Sequence, residues 1–163
     1  MSVAAFDPRE DIRTAIGYAK YIRGEEFSTV SVADSRGDAV FLPLLMPHEA
    51  HSEKPAELPY IEMRLVSVPA STMNIGGDVH YSEAYLDFKI SYIVRDYIDG
   101  SAFGSRVCSE IVDKIMENRA TTNDVLFCEV IDDGREMFEG VAGNPLVFHR
   151  ILQLKCNRIQ KKS

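Results

Sequence analysis

The chain has 163 residues, 45% of them apolar, which is enough to bury one hydrophobic core and points to a single domain spanning 1–163. Acidic side chains outnumber basic ones 25 to 18, for a net charge of −7, and this balance disfavours a non-specific binder of nucleic acid or acidic membranes. No window approaches the roughly 18 uninterrupted apolar residues that a bilayer-spanning helix needs, and the start Met1-Ser2-Val3-Ala4-Ala5-Phe6 does not read as a secretion signal.

The first predicted element is a helix. Asp7 is placed to cap it, Pro8 suits its first position, and Glu10 completes a D-x-x-E capping box. Its apolar stripe is Ile12, Ala15, Ile16, Ala19 and Ile22, and Gly24 is placed to end it. Residues 27–32 and 39–42 then read as a β-hairpin closed by Ser35-Arg36-Gly37-Asp38. The Arg-Gly-Asp triplet matches an adhesion signature, but a turn needs Gly and Asp for backbone reasons alone.

Between 43 and 59 stand four prolines, two histidines and three glutamates with little apolar periodicity, which predicts a long loop. A strand over 60–68 follows, with Ile61, Met63 and Leu65 on one face. A flexible connection over 70–80, containing Gly76-Gly77, leads into the clearest strand of the chain. From 82 to 97, Ala84, Leu86, Phe88, Ile90, Tyr92 and Val94 alternate with Tyr85, Asp87, Lys89, Ser91 and Arg95, so one face meets the core and the other meets water or another subunit.

Asp99-Gly100-Ser101 reads as a turn, with Ser101 capping a second helix over 102–118. That helix carries Phe103, Val107, Ile111 and Ile115 in one line. A strand over 125–131, a turn at Asp132-Asp133-Gly134, a less regular stretch over 135–143 and a closing strand over 146–157 complete the order, followed by a short basic tail over 158–163. The strands are joined too closely for parallel crossovers. The expected class is α+β: a mainly antiparallel sheet with two helices packed on one face.

Chemistry-bearing residues are sparse. His48 and His51 share six residues with Glu49 and Glu53, yet they stand at i and i+3 in a proline-bounded loop, and the helical zinc-protease motif needs i and i+4. An exposed polar loop is the simpler reading, and His149, inside a strand pattern, is expected to pack or pair locally. Asn74-Ile75-Gly76-Gly77-Asp78 lacks both dinucleotide-binding and phosphate-loop spacing. Asp132, Asp133, Glu136 and Glu139 fit ordinary turn chemistry better than an ion site. Cys108, Cys128 and Cys156 are odd in number and widely spaced, and they read as reduced core thiols. Neither a catalytic residue, a metal ligand nor a cofactor is therefore expected.

Tyrosines give the more pointed signal. Tyr81, Tyr85, Tyr92 and Tyr97 run along one arm, and Tyr85 points away from the apolar row, where a subunit contact or simple strand propensity would explain it equally well. With the proline-flanked histidines and the neighbouring arginine, the candidate subunit-interface residues are Tyr81, Tyr85, Arg95, Tyr97, His48 and His51.

The order of elements carries a resemblance. An N-terminal helix, the approach Leu58-Pro59-Tyr60-Ile61-Glu62, the strand ending Phe88-Lys89-Ile90-Ser91-Tyr92-Ile93-Val94, the helix containing Ile111-Val112-Asp113-Lys114-Ile115 and a closing strand together resemble the tail terminator, or tail-completion, proteins of long-tailed viruses. The likeness covers most of residues 8–157. The loop over 43–59 and the connection over 70–80 depart from it. The resemblance implies a hexameric ring at the head-proximal end of the tail tube that stops tube polymerisation and docks the head or neck. Its partners would be its own copies, the tail tube protein and head or neck connectors, with no membrane and no sequence-specific nucleic acid involved. It would be found in the virion tail, or in the host cytoplasm during assembly. Two other readings stay open: a small metal-binding enzyme using the His48/His51 loop, and a ligand-binding regulatory module.

Overall fold

A computed structural model describes residues 7–22, 25–51, 58–67, 73–74, 79–94, 97–117, 124–139 and 146–161. The elements are α1 (Arg9–Ile16), β1 (Tyr18–Ile22), β2 (Glu25–Ala33), β3 (Ala39–Leu45), α2 (Pro47–Ala50), β4 (Tyr60–Ser67), β5 (Met73–Asn74), β6 (Val79–Val94), α3 (Tyr97–Glu117), β7 (Asp124–Glu139) and β8 (Leu146–Lys161). The strands form one sheet in the order β1-β2-β3-β4-β6-β8-β7, with β5 paired to β6 off that path. Every described pairing is antiparallel except β3 with β4. The fold is α+β with the sheet dominant.

The alternation in β6 is realised in full. Ala84, Leu86, Phe88, Ile90 and Tyr92 are buried, facing Phe103, Val107, Ile111 and Ile115 of α3 and flanked by Phe148, Leu152, Leu154 and Cys156 of β8. Ile12 and Ile16 of α1 join the same cluster. α3 packs on β2, β6, β7 and β8, and α1 packs on α3 and β2, so both longer helices cover one face of the sheet. Among the described residues neither α1 nor α3 packs on the opposite face of β6.

Several local expectations are corrected. The first helix ends at Gly17, which takes φ +89°, and Tyr18–Ile22, expected to continue it through Ala19 and Ile22, form an edge strand instead. The carbonyl of Arg13 in the last helical turn accepts from Gly17 N at 3.0 Å and from Ser28 Oγ at 2.9 Å, while Thr29 N donates to Gly17 O at 3.2 Å. These bonds draw the chain onto β2, and tertiary pairing overrides a helical periodicity that would otherwise run on. Gly24 lies outside the described residues. Asp7 does not close a capping box: its carboxylate takes the Arg9 backbone N–H and guanidinium, and Glu10 pairs with Arg13.

The predicted loop over 43–59 is partly regular. Residues 43–45 extend β3 and Pro47–Ala50 form a helical turn, in which Glu49 accepts the Met46 backbone N–H at 2.8 Å and pairs with Arg13 of α1. Residues 52–57 lie outside the description, as does most of the 70–80 connection. The basic tail begins later than expected, because 158–161 continue β8 opposite Ser82 to Val79. Asp132-Asp133-Gly134 is no turn: β7 runs through it with register shifts on either side and Gly134 at φ +127°, the signature of bulges in a continuous strand. Asp34 Oδ1 accepts the N–H groups of Arg36 and Asp38, so the Arg-Gly-Asp segment serves the β2–β3 turn as expected.

Gly100 and Ser101 lie inside α3, which begins at Tyr97 without needing Ser101 as its cap. The reason is close packing. Tyr92 Oη donates to Gly100 O at 2.6 Å, and the Tyr92 ring is held edge-on to Phe103 and stacked on Phe148. Arg150 interrupts the apolar row of β8; buried, it reaches Ser101 O through Nη1 at 3.3 Å. A Cβ on Gly104 would stand 2.5 Å from Tyr92 Oη and 2.8 Å from Arg150 Cδ.

Because the hydrogen bond and the ring packing fix Tyr92, that clash cannot be relieved by swinging the side chain. Gly→Ala in a helix normally gains up to about 1 kcal/mol, whereas overpacking a tight site costs about 1–3 kcal/mol. Gly104→Ala is expected to lower the thermal midpoint by roughly 3–6 °C. Thermal unfolding followed by circular dichroism checks this, and a raised midpoint would mean that α3 does not sit this close to β6.

Candidate functional site

The helix-free sheet face is built by strand alternation. On β6 it presents Tyr81, Glu83, Tyr85, Asp87 and Lys89, all half-buried, and on β4 it presents Glu62 and Arg64. Register sets Glu62 opposite Lys89 and Arg64 opposite Asp87, so opposite charges face each other across the β4–β6 pair. Tyr85 stands opposite Lys155 of β8.

Two bonded clusters organise this face. In the first, Glu62 is only 1% exposed and accepts from Arg64 Nε at 2.8 Å on Oε1 and from Arg64 Nη2 at 3.2 Å on Oε2, while His51 Nε2 lies 3.0 Å from that same Oε2. Burial pushes the Glu62 carboxyl up; the hydrogen bonds from Arg64 and His51, with their charges, outweigh it and hold the group below its ordinary value of 4.5. In the second cluster, Tyr81 Oη donates to Glu83 at 3.0 Å and Lys155 Nζ lies 3.4 Å from the same carboxylate. Burial and then the Glu83 bond raise the Tyr81 phenol.

The structure therefore brings three of the six expected interface residues, Tyr81, Tyr85 and His51, to one face. His48 is exposed on α2, and the imidazole bonded to Glu62 is that of His51. Arg95 lies outside the described residues, and of Tyr97 only the backbone, at the start of α3, is described. Sequence reasoning missed Glu62, Arg64, Glu83 and Lys155. The i, i+2 spacing of Glu62 with Arg64 and of Tyr81 with Glu83 lies in the sequence, but the placement of His51 and Lys155 beside them does not.

Other chemistry-bearing groups are tied down locally. Ser91 Oγ and His149 Nδ1 are 2.8 Å apart on paired residues of β6 and β8, and Ser91 is buried. All three cysteines are free thiols. Cys128 and Cys156 are paired across β7 and β8 with sulfurs 3.1 Å apart, and the contact with Cys128, together with burial, pushes the Cys156 thiol far above its usual range. Among the described residues no three His, Cys, Asp or Glu side chains gather as a metal site, and no helix is long and apolar enough to cross a membrane.

Comparison with known proteins finds no protein family that matches the chain and no match among curated proteins.

Because the folded-state pKa of Glu62 is depressed, its contribution to stability is complete above pH 4.5 and is lost as pH falls through the lower folded value. Glu62→Gln is expected to cost about 1–3 kcal/mol at pH 7, since it weakens charge-assisted bonds at a buried group, and to show a shallower loss between pH 5 and 3 than the parent. Urea unfolding across that range checks the sign. Parallel profiles for parent and variant would mean that Glu62 is not held ionised by Arg64 and His51.

Proposed function

We propose that this protein is a structural assembly subunit, of the kind that ends the tail tube of a long-tailed virus as a homo-oligomeric ring and joins it to the head or neck. The observation that carries the reading is the helix-free sheet face. A row bearing Tyr81 and Tyr85 beside fixed ion pairs offers large contact area and directional polar groups, the composition of subunit contacts. The order of elements along the sequence, which resembles that of tail terminators, supports the same reading. In this role the face meets neighbouring subunits, and the partners are further copies, the tube protein and connectors, in the virion tail or the host cytoplasm.

A second reading rests on the His51–Glu62 pair. An exposed imidazole oriented at one nitrogen by a buried carboxylate is an arrangement that can present a general base or a ligand.

Size-exclusion chromatography with light scattering, combined with metal analysis, separates the two. The assembly reading predicts a ring near six times the 18.3 kDa chain mass, which Tyr85→Glu disperses without moving the unfolding midpoint. Stoichiometric bound metal, lost in His51→Ala, would favour the second reading, and a metal-free monomer at all concentrations would contradict the first.

A further inference from the structure

Cys128 and Cys156 are directly opposed residues of the antiparallel strands β7 and β8, and their sulfurs are in contact at 3.1 Å. Opposed residues of an antiparallel pair have Cα atoms about 4.5 or 5.5 Å apart, according to the hydrogen-bonding pattern. Disulfides span about 4.4–6.8 Å between Cα atoms. The backbone spacing therefore suits a covalent bridge, and neither strand has to slide along the other to form one.

The two thiols differ in their surroundings. Cys156 is 0% exposed, and its other neighbour across the sheet is Ala84 of β6, which is also 0% exposed. Cys128 is partly buried and packs against the same core from the outermost strand. The row Ala84, Cys156, Cys128 is thus closed at its inner end and is approached from the sheet edge. A reagent from solvent meets the Cys128 sulfur first, and the partial cover over it favours a small reagent. The contact with Cys128, and burial with it, keep the proton on Cys156.

The position of the pair gives a bridge its effect. β7 ends the sheet, and its ladder with β8 shifts register after Val130 and again after Asp133. Cys128 precedes the first shift, so a bond there ties the edge strand to its neighbour. It also closes a loop between residues 28 apart in sequence, which removes freedom from the unfolded chain.

We propose that Cys128 and Cys156 are a peroxide-responsive dithiol, in which Cys128 is oxidised first, Cys156 resolves it, and the disulfide formed staples β7 to β8. The proposal does not depend on the assembly reading. In the first step Cys128 releases its proton and its sulfur attacks one oxygen of hydrogen peroxide. The O–O bond breaks, the departing hydroxide takes the proton to become water, and Cys128 is left as a sulfenic acid. The Cys156 sulfur then attacks the Cys128 sulfur and forms the S–S bond. The S–O bond breaks, and the hydroxide leaves with the Cys156 proton as a second water. The two thiols lose two electrons between them, and the peroxide gains both.

The full-length protein, reduced and then freed of reductant, is treated with hydrogen peroxide, alkylated, and mapped without reduction by peptide mass spectrometry. The expected product is one link within a single chain, between the peptides carrying Cys128 and Cys156, with Cys108 left as an alkylatable thiol. The thermal midpoint is expected to rise by roughly 5–10 °C on oxidation, and to fall back when reductant is returned. In Cys156→Ser the reaction is expected to stop at a Cys128 sulfenic acid, which a cyclic dione reagent traps, whereas Cys128→Ala leaves Cys156 unreacted. Should either variant not fold, the map of the parent decides. Unreacted thiols, a link that includes Cys108 or joins two chains, or further oxidation of Cys128 beside a reduced Cys156 overturns the dithiol. A dione adduct on Cys156 in Cys128→Ala overturns the order of the steps, and a link without a rise in midpoint overturns the staple.

Discussion

Sixteen residues of β6 lie in unbroken antiparallel register with sixteen of β8, from Val79 opposite Lys161 to Val94 opposite Leu146. That pairing decides which side chains go where. Strand alternation sends Ala84, Leu86, Phe88, Ile90 and Tyr92 toward the helices and Glu83, Tyr85, Asp87 and Lys89 to the other side. A slip of one residue would bury the charges and expose the core row, so the hydrophobic term itself enforces the register. The cluster of Tyr92, Gly100, Gly104 and Arg150 then fixes α3 against the end of β6, with the buried guanidinium reaching the Ser101 carbonyl instead of standing unpaired.

The consequence for function is a division of labour between faces. With α1 and α3 on one side, the ion pairs and tyrosines lie on the side of the sheet away from both longer helices. Those groups are rigidly placed: Glu62 holds both Arg64 and His51, and Glu83 holds both Tyr81 and Lys155. Polar groups already ordered lose little further entropy on association, which favours a specific contact over a merely sticky one.

Much of this architecture is legible in the sequence because period-two and period-3.6 patterns report burial directly. The β6 row, the α3 line and the closing strand are cases where pattern and tertiary environment agree. The misreadings fall where one residue type serves two geometries. Gly17 ends a helix whose apolar stripe continues through Ala19 and Ile22, since a stripe cannot reveal that β2 offers better partners for the following segment. Gly100 reads as a turn and lies inside α3, where its carbonyl accepts the Tyr92 hydroxyl, and Gly134 reads as a turn and is used for a bulge. The site was half visible: Tyr81, Tyr85 and His51 could be singled out by type and position. Of their partners, Glu83 stands two residues from Tyr81 on the same face of β6, a relation the alternation already held, whereas the approach of His51 to Glu62 and of Lys155 to Glu83 depends on tertiary placement that no local pattern encodes.

The central claim, that the helix-free sheet face meets other protein subunits, is most directly tested by hydroxyl-radical footprinting with mass spectrometry, above and below the concentration at which the protein assembles or in the presence of tail tubes. The account predicts that labelling of Tyr81 and Tyr85 falls on association while labelling of Tyr92, already buried beneath α3, stays low throughout. Unchanged labelling of both face tyrosines in particles shown to be assembled would contradict it.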